Sequence, residues 1–219
     1  MHKDTPNLTS LQYLKLGNLT NTTTIQENTF QNNTTLTTIT LPSNLIYIGA
    51  NAFDGCANLV NVYYDGTIED WCNVNIDSNP MEYAENFQLL DNNVLQEVTQ
   101  IVIPESISKI GNNQFFGFSN VTKISLPNTI ESIGSYAFNG CSYLNDIIIP
   151  NSVITIGDNA FNGCDNLQSI YCHATTPPKL GSNTIPTTIN NIFVPNTYVE
   201  EYKTQWSSLA GKIVGYDFE

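Results

Sequence analysis

Side chains able to act as nucleophiles, metal ligands or proton carriers are few in this chain. Five cysteines, Cys56, Cys72, Cys141, Cys164 and Cys172, and two histidines, His2 and His173, make up most of the inventory. A structural zinc needs thiolates and imidazoles at close spacings such as C-x-x-C, and no such spacing occurs. Cys172 and His173 are sequence neighbours that point to opposite faces of an extended segment. Cys56, Cys141 and Cys164 stand in one recurring position, occupied elsewhere by Leu8, Asn33 and Phe118, as a small apolar packing residue would. Cys141 and Cys164 fall in adjacent repeats, roughly 5 Å apart at strand-like spacing, which permits a disulfide. The odd count argues against a disulfide framework, and Cys72 and Cys172 have no evident partner.

Carboxylates are more numerous but poorly arranged for catalysis. Glycoside hydrolysis needs two of them facing a cleft, whereas Asp54, Asp158 and Asp165 fall in the turns of successive repeats. Asp65, Glu69 and Asp70 cluster beside Trp71 and read as the capped, solvated first turn of a short helix. Ser and Thr abound without a general base to activate them, and no calcium-loop spacing is present. The expectation is therefore no catalytic residue, no cofactor and no metal.

Charge narrows the partners. Seven Lys plus Arg stand against 20 Asp plus Glu, a net charge of -13. Nucleic-acid binding and docking on anionic lipid both require clustered cations. No run of about 18 apolar residues exists to cross a membrane. The start, MHKDTPNLTS, lacks the apolar stretch of a signal peptide. Only 12% of the residues are charged while 41% are hydrophobic, against about 25% charged in ordinary globular chains.

The elements that would position any site come from a repeat. ITLPSNLIYIGANAFDGCANLVNV, IVIPESISKIGNNQFFGFSNVTKI, ISLPNTIESIGSYAFNGCSYLNDI and IIIPNSVITIGDNAFNGCDNLQSI share one frame, with steps of 23 residues from Ile101 to Ile124, Ile147 and Ile170. Alternation around Ile147 and Ile149 predicts a short strand with one buried face. Pro42, Pro104, Pro127 and Pro150 end such strands, because proline cannot donate a ladder hydrogen bond. Gly49, Gly111, Gly134 and Gly157 are expected at turns with positive φ. Ala-Phe-x-Gly-Cys then fits one or two helical turns that drive a Phe inward. A coil of this length cannot bury its apolar face alone, so the coils must stack.

Leu8, Leu11, Leu14 and Leu16 match the second half of a coil, so the chain is expected to be a fragment with at least one further coil before it. Val62 to Ile101 breaks the period at 39 residues. The extra residues predict a short helix capped by Thr67 and a β-hairpin around Asp91-Asn92-Asn93. Ile192-Phe-Val-Pro195 restates the strand-plus-proline signal. After it, Thr197-x-x-Glu200 reads as a capping box, with Val199, Tyr202, Trp206, Leu209 and Ala210 on one face of a helix ended by Gly211.

The pattern L-P-x-x-I-x-x-I-G-x-x-A-F-x-G-C-x-x-L resembles the BspA-like leucine-rich repeat. The Gly66-Thr-x-Glu-Asp-Trp71 segment with its hairpin is similar to an interruption common in such proteins from gut bacteria. The resemblance spans roughly residues 8–216. It implies a repeat solenoid: a curved, right-handed leucine-rich-repeat-like array with short parallel β-strands on one face, short helical or 3-10 turns on the other, and a C-terminal helical cap. It also implies an exported or cell-surface bacterial parent used for adhesion or protein interaction. One domain is expected over 1–219, with N-terminal coils 8–64, an insertion 65–100, regular coils 101–173 and the cap 174–219.

Function is expected on the strand, or concave, face. Its outward residues are predicted as Tyr13 and Lys15, Thr38 and Thr40, Asn61 and Tyr63, Gln100 and Val102, Lys123 and Ser125, Asp146 and Ile148, Ser169 and Tyr171, then Asn191 and Phe193. Ile148, Tyr171 and Phe193, with Val102 and Tyr63 further along, would form an apolar strip of the kind that marks interaction sites, although β-propensity alone also places large residues there. The partner would be a host, matrix or sibling protein. The alternative is a glycan-binding module in which Trp71 and exposed tyrosines stack on sugar rings.

Overall fold

The computed structural model of the chain describes residues 12–16 and 24–218. Leu8, Leu11 and His2, which entered the sequence reading, lie outside them. The chain alternates longer and two-residue strands. The first stretch holds β1 (Tyr13–Lys15), β2 (Thr24–Ile25), β3 (Thr38–Pro42), β4 (Tyr47–Ile48) and β5 (Asn61–Asp65). Helix α1 (Ile68–Cys72), β6 (Asn75–Ile76), β7 (Asn86–Asp91) and β8 (Val94–Glu97) follow. The regular coils carry β9 (Gln100–Val102), β10 (Lys109–Ile110), β11 (Lys123–Ser125), β12 (Ser132–Ile133), β13 (Asp146–Ile149), β14 (Thr155–Ile156), β15 (Ser169–Cys172) and β16 (Lys179–Leu180). The C-terminal stretch is β17 (Asn191–Pro195), α2 (Val199–Gln205) and β18 (Ile213–Tyr216).

These strands form a solenoid of parallel sheets. On the strand face β1, β3, β5 and β7 pair in parallel, as do β13, β15, β17 and β18. The register is the repeat itself, with Ile147 opposite Ile170 and Ile170 opposite Ile192. The other face carries a second set of parallel strands, β2-β4-β6 and β10-β12-β14-β16. One core runs between the faces from Leu16 to Ile213. Its spine is aromatic: Phe115 stacks on Phe138 at 5.6 Å and Phe138 on Phe161 at 5.5 Å.

The Phe-bearing turns are not helical. Amide groups of Tyr136, Phe138 and Gly140 donate to the carbonyls of Asp158, Ala160 and Asn162 in the next coil at 2.8–2.9 Å. Asn113, Phe115 and Gly117 do the same one coil earlier. Amides committed sideways to a neighbouring coil are unavailable to close helical turns. Positive φ also falls elsewhere than expected, on Asn51, Asn113, Tyr136 and Asn159 and on Gly55, Gly117, Gly140 and Gly163. The glycines at 49, 134 and 157 serve a different need, close approach of coils. A Cβ on Gly157 would lie 2.5 Å from the Ser135 backbone nitrogen.

The period break at Val62 resolves into a coil and a hairpin. Phe87 pairs opposite Val62, so residues 62–87 complete a 25-residue coil within the stack. Thr67 and Asp70 form a reciprocal cap on α1, as the sequence predicts. The chain then departs from the stack: β8 turns back antiparallel on β7 through Asn92 and Asn93, both at positive φ, the geometry of a tight two-residue turn. Strand pairing stops at β8 and restarts at β9, which pairs β11.

Side chains bridge this gap on the opposite face. The Trp71 indole N–H donates to the Gln114 carbonyl at 2.7 Å, and the Gln114 side-chain amide donates back to the Trp71 carbonyl. The Asn79 side chain donates to the Asn113 carbonyl, and the Asn113 side chain to the Ile76 carbonyl at 3.3 Å. Gln114 replaces the alanine, and Phe118 the cysteine, of the neighbouring coils. Phe118 packs on Phe87 at 4.3 Å and reaches Trp71 at 6.3 Å. Both departures from the repeat thus mate one coil to its irregular predecessor.

At the C-terminal end the helix docks as expected, but its boundaries differ. Tyr202 and Trp206 are buried, donating to the carbonyls of Ala174 and Pro178 at 2.8 and 2.9 Å. Thr197 and Glu200 make no capping box. A 3-10 turn over Asn196–Tyr198 holds Thr197, and the Glu200 carboxylate pairs instead with Lys203 at 3.0 Å. The helix stops at Gln205, and a 3-10 segment, Ser207–Lys212, carries Gly211 onward into β18.

Three substitutions test the stacking. Gly157→Ala should destabilise the chain by about 1–3 kcal/mol through backbone collision. Gln114→Ala should cost about 1–3 kcal/mol by removing the side-chain amide that ties its coil to the Trp71 carbonyl, and Trp71→Ala about 3–5 kcal/mol. Urea unfolding monitored by circular dichroism would measure each.

Candidate interaction face

Alternation on the strand face holds at most predicted positions. Gln100, Val102, Lys123, Ser125, Asp146 and Ile148 are exposed, and Ser169, Tyr171, Asn191 and Phe193 are half-buried. Thr40 is the exception at 1% exposure. It is paired between Tyr63 on one side and β1 on the other, with the Tyr13 hydroxyl 3.3 Å from its own. Rings on both flanks exclude water from a small side chain.

Tyr63 and Val102 lie further along the face, on strands away from the C-terminal strip. Tyr63 lies opposite Gln88 on β7, beyond which the sheet turns into the hairpin. Val102, 67% exposed, lies opposite Ser125. Ile148, Tyr171 and Phe193 do fall in one row, and Val214 of β18 extends it. Tyr171 and Phe193 stack at 4.8 Å with 15° between the rings.

Two aromatic residues beyond the cap, outside the predicted outward positions, complete this row. Tyr216 packs edge-on against Phe193 at 5.5 Å and against Tyr171 at 6.1 Å. Phe218 touches Tyr216 at 5.0 Å and the His173 ring at 4.1 Å. Together they make a contiguous aromatic cluster closing the C-terminal end of the strand face. Ile213-Val-Gly-Tyr216, with Phe218 two positions on, has the alternation that could have revealed it. Burial lowers the His173 pKa, favouring the neutral imidazole.

Trp71 is unavailable to a sugar. It is fully buried between Tyr64 at 5.0 Å and Phe87 at 4.9 Å. The acidic residues beside it belong to the helix start, with Asp70 in the cap and Glu69 accepting from the Ser106 hydroxyl at 2.6 Å. Among the described residues, no group of three or more His, Cys, Asp or Glu is placed to hold a metal ion. None of their helices is long and apolar enough to cross a membrane.

A family model for the BspA type leucine rich repeat region matches residues 6–79 and 92–203 in six copies. No curated protein matches the chain. Among solved structures the chain is similar to a leucine rich cell surface protein from Faecalibacterium prausnitzii. The two are 18% identical, with 85% of this chain and 64% of that one covered and a TM-score of 0.47. It is also similar to a leucine-rich repeat protein from Eubacterium ventriosum, 18% identical over 84% and 66% of the chains, TM-score 0.43. A third similarity is to the pneumococcal vaccine antigen PcpA, 17% identical over 89% and 71%, TM-score 0.44. The chain spans less than two thirds of the length of the first two.

All five cysteines are free thiols. Those in the repeat position each donate across to the preceding coil: Cys56 to the Phe30 carbonyl at 3.1 Å, Cys141 to Phe115 at 3.4 Å and Cys164 to Phe138 at 3.1 Å. Cys141 and Cys164 therefore serve two separate carbonyls and form no disulfide. Burial pushes the Cys164 thiol from 9.0 up to about 12, and the Cys172 thiol, 3.1 Å from the Tyr202 hydroxyl, up to about 11. A group harder to ionise when folded stabilises the fold fully below its unfolded pKa, and that contribution is lost as pH rises through the folded value. The melting temperature should therefore fall as pH climbs from about 9 towards 12, less steeply in Cys164→Ala. Ellman's reagent should react with the repeat cysteines at neutral pH only after unfolding.

Proposed function

The chain belongs to the BspA-type leucine-rich repeat family, and from that premise we propose that it is a non-enzymatic protein-interaction module. It binds through the C-terminal part of its strand face and is carried outside the cell or on the surface of a bacterium, where adhesion is its use. The aromatic row carries this reading. Tyr171, Phe193 and Tyr216 lock one another's orientation, so a partner meets rings already ordered, and little side-chain entropy is lost on contact. Ile148 at 51% exposure, with Val214 and Tyr216 also exposed, supplies apolar surface around them. Aromatic anchors of this kind dominate binding energy at protein interfaces.

The remaining groups support a binding rather than a catalytic role. The repeat thiols are held protonated in the core, and His173 rests against Phe218. With a net charge of -13, the partner is a protein with apolar or basic surface.

The test uses an array of extracellular-matrix and host-surface proteins probed with the whole chain. Tyr171→Ser with Phe193→Ser should lower affinity for a captured protein by about 30-fold or more, with the melting temperature little changed. Capture that is indifferent to both substitutions would remove the strand face from the proposal.

A further inference from the structure

The sequence contains two Asn-Gly bonds, Asn139–Gly140 and Asn162–Gly163. Each lies in the same pentapeptide, Ala-Phe-Asn-Gly-Cys, at the same position of consecutive coils. Glycine after asparagine leaves the next backbone nitrogen unshielded by a Cβ, so that it can reach the asparagine side chain. Local sequence therefore gives the two bonds equal reactivity, and any difference in the folded chain comes from structure.

Around the first bond both reacting groups are committed. The Gly140 N–H donates to the Asn162 carbonyl at 2.8 Å, and the Asn139 side-chain amide donates to the Asn159 carbonyl at 3.4 Å. Around the second, neither is. The coil-to-coil step that takes Phe161 N–H to the Thr184 carbonyl at 3.0 Å would take Gly163 to Pro186. The Pro186 carbonyl instead accepts from Ile189 at 3.2 Å as the last coil turns away. Among the described residues the Gly163 N–H and the Asn162 side chain have no hydrogen-bond partner. Asn162 is exposed, whereas Asn139 is half-buried.

From this asymmetry we infer that Asn162 is a site of spontaneous, backbone-assisted deamidation in the folded chain. The Gly163 nitrogen attacks Asn162 Cγ. A new N–Cγ bond closes the succinimide ring while the bond from Cγ to Nδ2 breaks, and the glycine amide proton leaves with that nitrogen as ammonia. One water molecule then opens the ring at either carbonyl, giving aspartate or isoaspartate. Both products add a negative charge beside Asp165. Isoaspartate also lengthens the backbone just before Cys164, whose thiol ties this coil to the Phe138 carbonyl at 3.1 Å.

The experiment incubates the whole chain in mildly alkaline buffer at body temperature. Deamidation at both bonds is followed by peptide mapping with mass spectrometry, and isoaspartate by enzymatic methylation. In the folded chain Asn162 should convert about tenfold faster than Asn139, the advantage of not having to open a ladder hydrogen bond. In urea the two rates should converge, and Asn162→Gln should remove the fast product. Equal rates in the folded chain, or faster conversion at Asn139, would overturn the inference.

Discussion

Each coil of this protein relies on the next to satisfy its backbone. Amide groups in the turns and strands point along the stack, and the carbonyls that receive them lie about one repeat away. A buried backbone group left without a partner is expensive, so the offset between coils must stay nearly constant. That requirement accounts for the glycines at 134 and 157, where the coils approach too closely for a Cβ. It accounts for the asparagines at positive φ as well, since asparagine tolerates the left-handed turn that aims alternate amides sideways. The thiols of Cys56, Cys141 and Cys164 follow the same rule, each donating back across one coil boundary.

The constraint is most visible where the offset fails. Between β7 and β9 the ladder cannot continue, and the hairpin leaves the stack. The core remains continuous because side chains take over the work of backbone amides: Trp71 and Gln114 exchange hydrogen bonds, and Asn79 and Asn113 add two more. Large rings at 87 and 118 fill the space that a regular coil would occupy.

Much of this was legible from the repeat, because the spacing of Ile, Pro and Phe reports the register directly. Ile101, Ile124, Ile147 and Ile170 lie on the strands where the 23-residue step puts them. The roles of the glycines were not legible. Closeness to another coil and a left-handed φ both select glycine, and only coordinates separate the two causes. Thr197 and Glu200 have the residue types of a capping box, but the docking of Tyr202 and Trp206 fixes the helix in a different frame. On the strand face, local alternation identified Ile148, Tyr171 and Phe193. It could not show that a strand following the cap would bring Tyr216 and Phe218 back over them, since that contact depends on the path of the whole C-terminal segment.

The pairing of Glu200 with Lys203 is the one salt bridge among the described residues, and it is solvent-exposed. Exposed pairs contribute little, so the fold holds almost no attractive charge network for dissolved ions to weaken. What ions do meet is the mutual repulsion of 20 acidic side chains opposed by seven basic ones, and screening relieves it. A chain built this way should tolerate wide swings in salinity and be firmer in brine than in dilute buffer.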